Sequence, residues 1–124
     1  MNNPDLIKNF ICEGAISPYR IAKFGSADDK LLQATASTES LIAVSTNLGG
    51  ESGKRADFIL SGIGEVEYGG TVARGDYLTS DSVGRAVTAA PAAGVNANII
   101  GKAMASGVLG DIGSVEINKS RIQG

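Results

Sequence analysis

The feature that most constrains this chain is its punctuation. "GSADDK", "LGGESGK", "YGG", "SDSVG" and "GVLGDIG" break it into short runs, at the spacing of about 8–12 residues that separates strands in an all-β domain. Between the breaks the periodicity is that of strands. In Tyr19–Gly25, Tyr19, Ile21 and Lys23 alternate with Arg20, Ala22 and Phe24. In Ala56–Gly62, Phe58 and Leu60 oppose Asp57, Ile59 and Ser61, and near the C-terminus Val115 and Ile117 share a face against Ser114, Glu116 and Asn118. Such alternation marks half-buried strands. Only "DKLLQATASTESLIAV" has helical length, but its Ser and Thr residues break any steady apolar stripe. It reads as two strands, Leu31–Thr35 and Leu41–Ser45, around "ASTES".

The order of elements recurs. "AISPYRIAKFGSADDKLLQATA" (15–36) and "TVARGDYLTSDSVGRAVTAA" (71–90) each run apolar pair, tight turn, strand, acidic turn ending in a basic residue, strand. "LIAVSTNLGGESGKRADFIL" is echoed by "IIGKAMASGVLGDIGSVEI" as strand, Gly-containing loop, charged residue, strand. The period is roughly 55 residues, and two copies are too few for a solenoid. The expected fold is all-β: a compact β-barrel or β-tulip-like single domain with pseudo-duplicated halves. An extended N-terminal arm (1–11), a β domain (12–118) and a C-terminal tail (119–124) complete it.

Composition then excludes functions. The 124 residues carry a net charge of −2 with no basic stripe, so nucleic-acid binding is not expected. Histidine is absent and Cys12 stands alone, which removes the commonest general base, the commonest metal ligand and any intrachain disulfide. Cys12 reads as a small buried apolar residue. The N-terminal "MNNPDLIKNF" lacks the basic and apolar regions of a signal peptide, and no run reaches membrane-spanning length. The expectation is a soluble protein made in the cytoplasm, with no membrane partner and no cofactor.

The short motifs dissolve on inspection. "GGESGKR" imitates a phosphate loop, but Leu48 stands at its first Gly position and Arg55 at its hydroxyl position. "RGD" at Arg74–Asp76 is a turn flanked by charges, and Asp28, Asp29, Asp76, Asp81 and Asp111 all sit where Asp bonds nearby amides. "NKS" at Asn118 has the form of a glycosylation acceptor, without meaning in a cytoplasmic product. No Gly-x-Ser-x-Gly elbow occurs and no His completes a triad. Catalytic and metal sites are therefore expected to be absent, and the chain is read as no enzyme.

Two regions remain as candidate contacts. Asn2, Asn3, Pro4, Asp5, Leu6 and Ile7 open the chain with a polar stretch that leads into apolar residues, which reads equally as an ordinary frayed terminus or as an arm that orders on a partner. The loops carrying Gly49, Gly50, Lys54 and Arg55, and Gly69, Gly70, Arg74 and Asp76, are candidate interface loops.

"CEGAISPYRIAKFG", "ILSGIGEVEYGGTVARGDYLTSDSVGRAVTAA" and "IIGKAMASGVLGDIGSVEI" together resemble the bacteriophage capsid decoration (cement) proteins. The likeness runs from about Cys12 to Ile117 and lies in the order and spacing of turns. It implies a β-barrel or tulip-like domain on the outer face of a phage head, bridging major capsid protein subunits as a homotrimer or dimer. On that reading Asn2–Ile7 engage the capsid. The rival expectation is a carbohydrate- or receptor-binding module of a tail or head fibre, for which a chain without Trp and with three Tyr is poorly equipped.

Overall fold

The computed structural model describes residues 3–124 and is built of strands alone. The strands are β1 (Asn3–Cys12), β2 (Ile21–Phe24), β3 (Lys30–Gln33), β4 (Leu41–Ser45), β5 (Arg55–Glu67), β6 (Tyr77–Ser80), β7 (Ala86–Thr88), β8 (Asn96–Ala103) and β9 (Ile112–Gln123). They form a nine-stranded sheet in the order β1-β3-β2-β4-β5-β9-β8-β6-β7, with an added β1–β5 pairing.

That added pairing closes β1, β3, β2, β4 and β5 into a ring, with β1 antiparallel to β5 and parallel to β3. The second half repeats the plan. β5, β9, β8, β6 and β7 follow in order, and a parallel bridge from Tyr68 to Ala86 joins the end of β5 to β7. β5 therefore serves twice, closing the first ring and opening the second. Such closure leaves few strand edges unpaired.

The duplication expected from the turns is present in detail. The bridge Ile16–Gly50 has its counterpart in Val72–Gly107. Tyr19 and Asp29 have positive φ where the second half has Gly75 and Gly84. Asp tolerates that conformation through local hydrogen bonding, whereas Tyr19 bears the steric cost that Gly75 avoids.

Each ring has its own core. Phe10, Cys12, Ile16, Ala22, Leu31, Ala43 and Phe58 pack in the first. Val66, Tyr68, Val72, Leu78, Ala86 and Val115 occupy matching places in the second, where they merge with Ile21, Ala34, Val44 and Ile59 from the back of the first. This corrects the expected faces of β5. Phe58 and Ile59 are both buried, because neighbouring residues of one strand point to opposite cores.

Both termini differ from expectation as well. Residues 3–11 are extended but not free: β1 lies along β5 from Asn3–Ile63 to Ile11–Arg55. The tail is likewise strand, with β9 continuing to Gln123 against Asn96 of β8. Alternation gave no warning, since Leu6 and Ile7 are adjacent and both exposed. Lys119 explains how the sheet divides where β5 changes neighbour from β4 to β9. Its Nζ donates to the carbonyls of Ile42 (3.0 Å) and Leu60 (2.8 Å), and the loss of water there lowers its pKa.

The turn before β4 is held by one carboxylate. Glu39 accepts from the Thr35 amide (2.6 Å), the Ala36 amide (2.9 Å), the Thr35 hydroxyl (2.8 Å) and the Lys23 ammonium. Burial pushes its pKa up, but these bonds outweigh burial and hold it at about 2, below the ordinary 4.5. A carboxyl depressed on folding stabilises the protein above its unfolded pKa and loses that contribution as pH falls from 4.5 toward 2. Glu39→Gln is expected to lower stability at neutral pH by about 1–3 kcal/mol, discounted for partial solvent screening. The difference from the parent should shrink through that acid window, as read by urea denaturation at stepped pH.

Candidate functional site

The first candidate loop joins β4 to β5. Gly49 and Gly50 lie against the start of the first ring, where Gly50 and Ile16 exchange backbone hydrogen bonds of 2.8 and 2.9 Å. A Cβ on Gly50 would stand 2.3 Å from the Cys12 sulfur, so this close approach admits only glycine. The chain then turns through Glu51-Ser52-Gly53-Lys54. The Lys54 amide donates to Glu51 and its carbonyl accepts from Cys12, while the Gly53 amide donates to the Cys12 carbonyl.

Arg55 follows as the first residue of β5. Its guanidinium donates to Asp29 Oδ2 (2.6 Å) and Asn9 Oδ1 (3.1 Å). The Arg55 hydrogen bond is the main reason that the Asp29 pKa is lowered. Lys54 is exposed and forms no ion pair among the described residues. Because β5 is a strand, "GGESGKR" opens no helix, and the backbone cradle of a phosphate loop does not form.

Gly49, Gly50, Lys54 and Arg55 thus meet around an open groove of about 480 Å³, shared with Asn9, Thr46, Leu48, Glu51, Ala56 and Asp57. The groove is polar at its rim, with one large apolar side chain: Leu48 is 83% exposed. Sequence reasoning found the loop but passed over Leu48. Residue type alone gave no signal for it, since single exposed apolar residues are ordinary on protein surfaces.

The second loop lies in the other half and takes no part in this groove. Gly69 donates to the Ala86 carbonyl at 2.8 Å, beside Gly70. The Arg74 amide donates to Ser106 Oγ (3.0 Å), and Gly75 turns with φ of 96°. The Asp76 carboxylate accepts from the Ala73 amide (3.0 Å) and the Thr88 hydroxyl (2.8 Å). The acidic group of the "RGD" tripeptide is therefore engaged inside its own turn, as expected of turn chemistry.

Of the arm residues, Asn3, Pro4, Asp5, Leu6 and Ile7 form the first half of β1, opposite Ile59–Ile63 of β5. They do not line the groove. Asn2 lies outside the described residues. Leu6 and Ile7 are each about half exposed, where the β1–β5 register shifts. Among the described residues, no cluster of three or more Asp, Glu or Cys is arranged to hold a metal ion.

No protein-family model matches the chain, and no curated protein does. Among solved structures it is similar to the head fibre gp8.5 N base of bacteriophage phi29, with a TM-score of 0.68 and 17% sequence identity. That match covers 96% of this chain and 98% of the other. At this identity the likeness is one of fold, and it extends over nearly the whole of both chains.

Proposed function

We propose that this chain is a structural, non-enzymatic protein of a phage virion, seated on the outer surface of the head and bracing major capsid protein subunits. The observation that supports a structural virion protein is the whole-length likeness in fold to the base of a phage head fibre; the bracing role rests on the sequence resemblance to decoration proteins. The sequence resemblance to decoration proteins leads to the same surface by a separate route. The physics suits the role. A brace needs shape and contact surface, and a protein that binds only the expanded shell stabilises that state, by about 4 kcal/mol at a thousandfold excess over its dissociation constant. Contacts to several subunits at once add avidity.

In this reading the first half of β1 is the capsid-facing element, because Leu6 and Ile7 leave apolar surface exposed on it. A second reading, the base of a head fibre, is favoured by the neighbour itself. One experiment separates the two. The purified chain is mixed with expanded heads that lack it, and the heads are sedimented and then heated. A brace is expected to co-sediment to saturation and to raise the temperature at which heads break. A fibre base is expected to co-sediment without raising it. Failure to co-sediment overturns both.

A further inference from the structure

A second groove, of about 380 Å³, opens where β4, β8 and β9 converge. Its walls are Ser40 and Leu41 at the start of β4, Asn98 and Ile99 of β8, and residues 119–121 of β9. In the β4–β5 groove Glu51 and Asp57 sit beside Lys54 and Arg55, so the signs balance. Here the described lining holds two cations, Lys119 and Arg121, and no carboxylate. Glu39, next to Ser40 in the chain, directs its carboxylate away to Thr35, Ala36 and Lys23.

The register accounts for the arrangement. Ile99 pairs with Ser120 but Gly101 with Ile117, so β9 carries one extra residue at the groove. Such a bulge re-aims side chains. Lys119 Nζ reaches the carbonyls of Ile42 and Leu60, and an ammonium has three N–H donors, which leaves one over. Asn98 Nδ2 donates to the Glu39 carbonyl at 2.7 Å, and the amide has a second N–H. Arg121, the cross-strand partner of Asn98, is exposed. Neither Lys119 nor Arg121 forms an ion pair among the described residues. Loss of water lowers the Lys119 pKa, and no carboxylate acts to raise it.

We propose that this groove binds a phosphate ester, whose phosphate oxygens accept hydrogen bonds from Arg121, Lys119, Asn98 and Ser40. The charges match, since a phosphate monoester carries about two negative charges near neutral pH. A guanidinium fork suits phosphate oxygens, and the lysine adds a point charge. Lys119 and Asn98 are held by backbone carbonyls before any ligand arrives, which lowers the cost of ordering them. The groove of about 380 Å³ is larger than a phosphate group fills and leaves room for the alcohol part of an ester. Two cations hold one phosphate group and fall short of the stripe that a nucleic-acid backbone needs. The site belongs to the chain by itself and does not rest on the proposed place on a head.

Amide NMR shifts of the purified protein test it, with glycerol phosphate, inorganic phosphate or acetate replacing chloride at constant ionic strength. Glycerol phosphate is expected to give saturating shifts confined to the neighbourhood of Ser40, Asn98, Lys119 and Arg121. Arg121→Gln should weaken binding about tenfold or more, and Arg121→Lys should restore part of the loss. Lys119→Gln removes the charge while keeping a donor for the two carbonyls, and should weaken binding similarly. Urea midpoints check that each variant is folded, and Arg121→Gln carries the test if Lys119→Gln is not. Shifts that never saturate, or an affinity unchanged in Arg121→Gln, overturn the site. Acetate bound as tightly as glycerol phosphate overturns the assignment to phosphate, and glycerol phosphate bound no tighter than inorganic phosphate overturns the assignment to an ester.

Discussion

Tyr68→Ala is expected to lower the unfolding free energy by about 3–5 kcal/mol, the range for removing a fully buried large side chain. Typical domains have only about 5–15 kcal/mol in total, so much of the population should be unfolded or close to it. The reason is where the ring sits. Tyr68 is fully buried at the junction between β5 and β7, and its hydroxyl donates to the Ala105 carbonyl at 2.7 Å. Gly107 and Gly113 lie directly on it: a Cβ on Gly113 would stand 2.2 Å from the phenol oxygen. No side chain above can move in to fill the space. Tyr68→Phe keeps the ring and loses the hydroxyl's bond, so about 1–2 kcal/mol is expected. Cys12, the residue in the corresponding place of the first half, should tolerate alanine at about 1 kcal/mol. Urea midpoints at unchanged slope measure all three. A Tyr68→Ala loss no larger than that of Cys12→Ala would show that the ring does not organise the second core.

The same comparison explains what could be read in the sequence. Turns repeat because positive φ and tight hydrogen bonding restrict the residue types that serve, so Arg74-Gly75-Asp76 and Pro18-Tyr19-Arg20 were aligned from the chain alone. β4 lies at Leu41–Ser45 as expected, and Val115 and Ile117 are buried together. The cores do not repeat by identity. Phe10, Cys12, Ala22, Leu31 and Phe58 correspond to Val66, Tyr68, Leu78, Ala86 and Val115. Large residues on one side become small on the other, and small ones large, so the filled volume is kept while the letters change, as close packing allows. β1 was legible as extended but not as part of the sheet, because Leu6 and Ile7 are adjacent, both half exposed, and lie where the register with β5 shifts, so no alternation results. The groove was legible only as a loop. Its partners Asn9 and Asp57 come from β1 and β5, and only the pairing of those strands brings them together.

Gly101→Val is expected to lower stability by about 3 kcal/mol or more, at the upper end of what overpacking costs. Leu78 of β6 pairs with Gly101 of β8, in the place where Ala22 of β2 pairs with Ala43 of β4. A leucine opposite a glycine in one half thus replaces two alanines in the other, which suggests that the glycine merely makes room for Leu78. The geometry says otherwise. A Cβ on Gly101 would lie 2.0 Å from the carbonyl oxygen of Glu116 and 3.0 Å from the Cα of Ile117, both backbone atoms of the paired strand β9. Backbone cannot rotate aside as a side chain can, so relief requires β8 and β9 to separate where their register already shifts, between Ile99 and Gly101. Leu78→Ala should therefore fail to rescue Gly101→Val, although it would do so if the conflict were with the leucine. Urea denaturation of the two single variants and the double variant decides the matter. Rescue by Leu78→Ala would place the constraint in the core, whereas its absence places it in the β8–β9 backbone pairing.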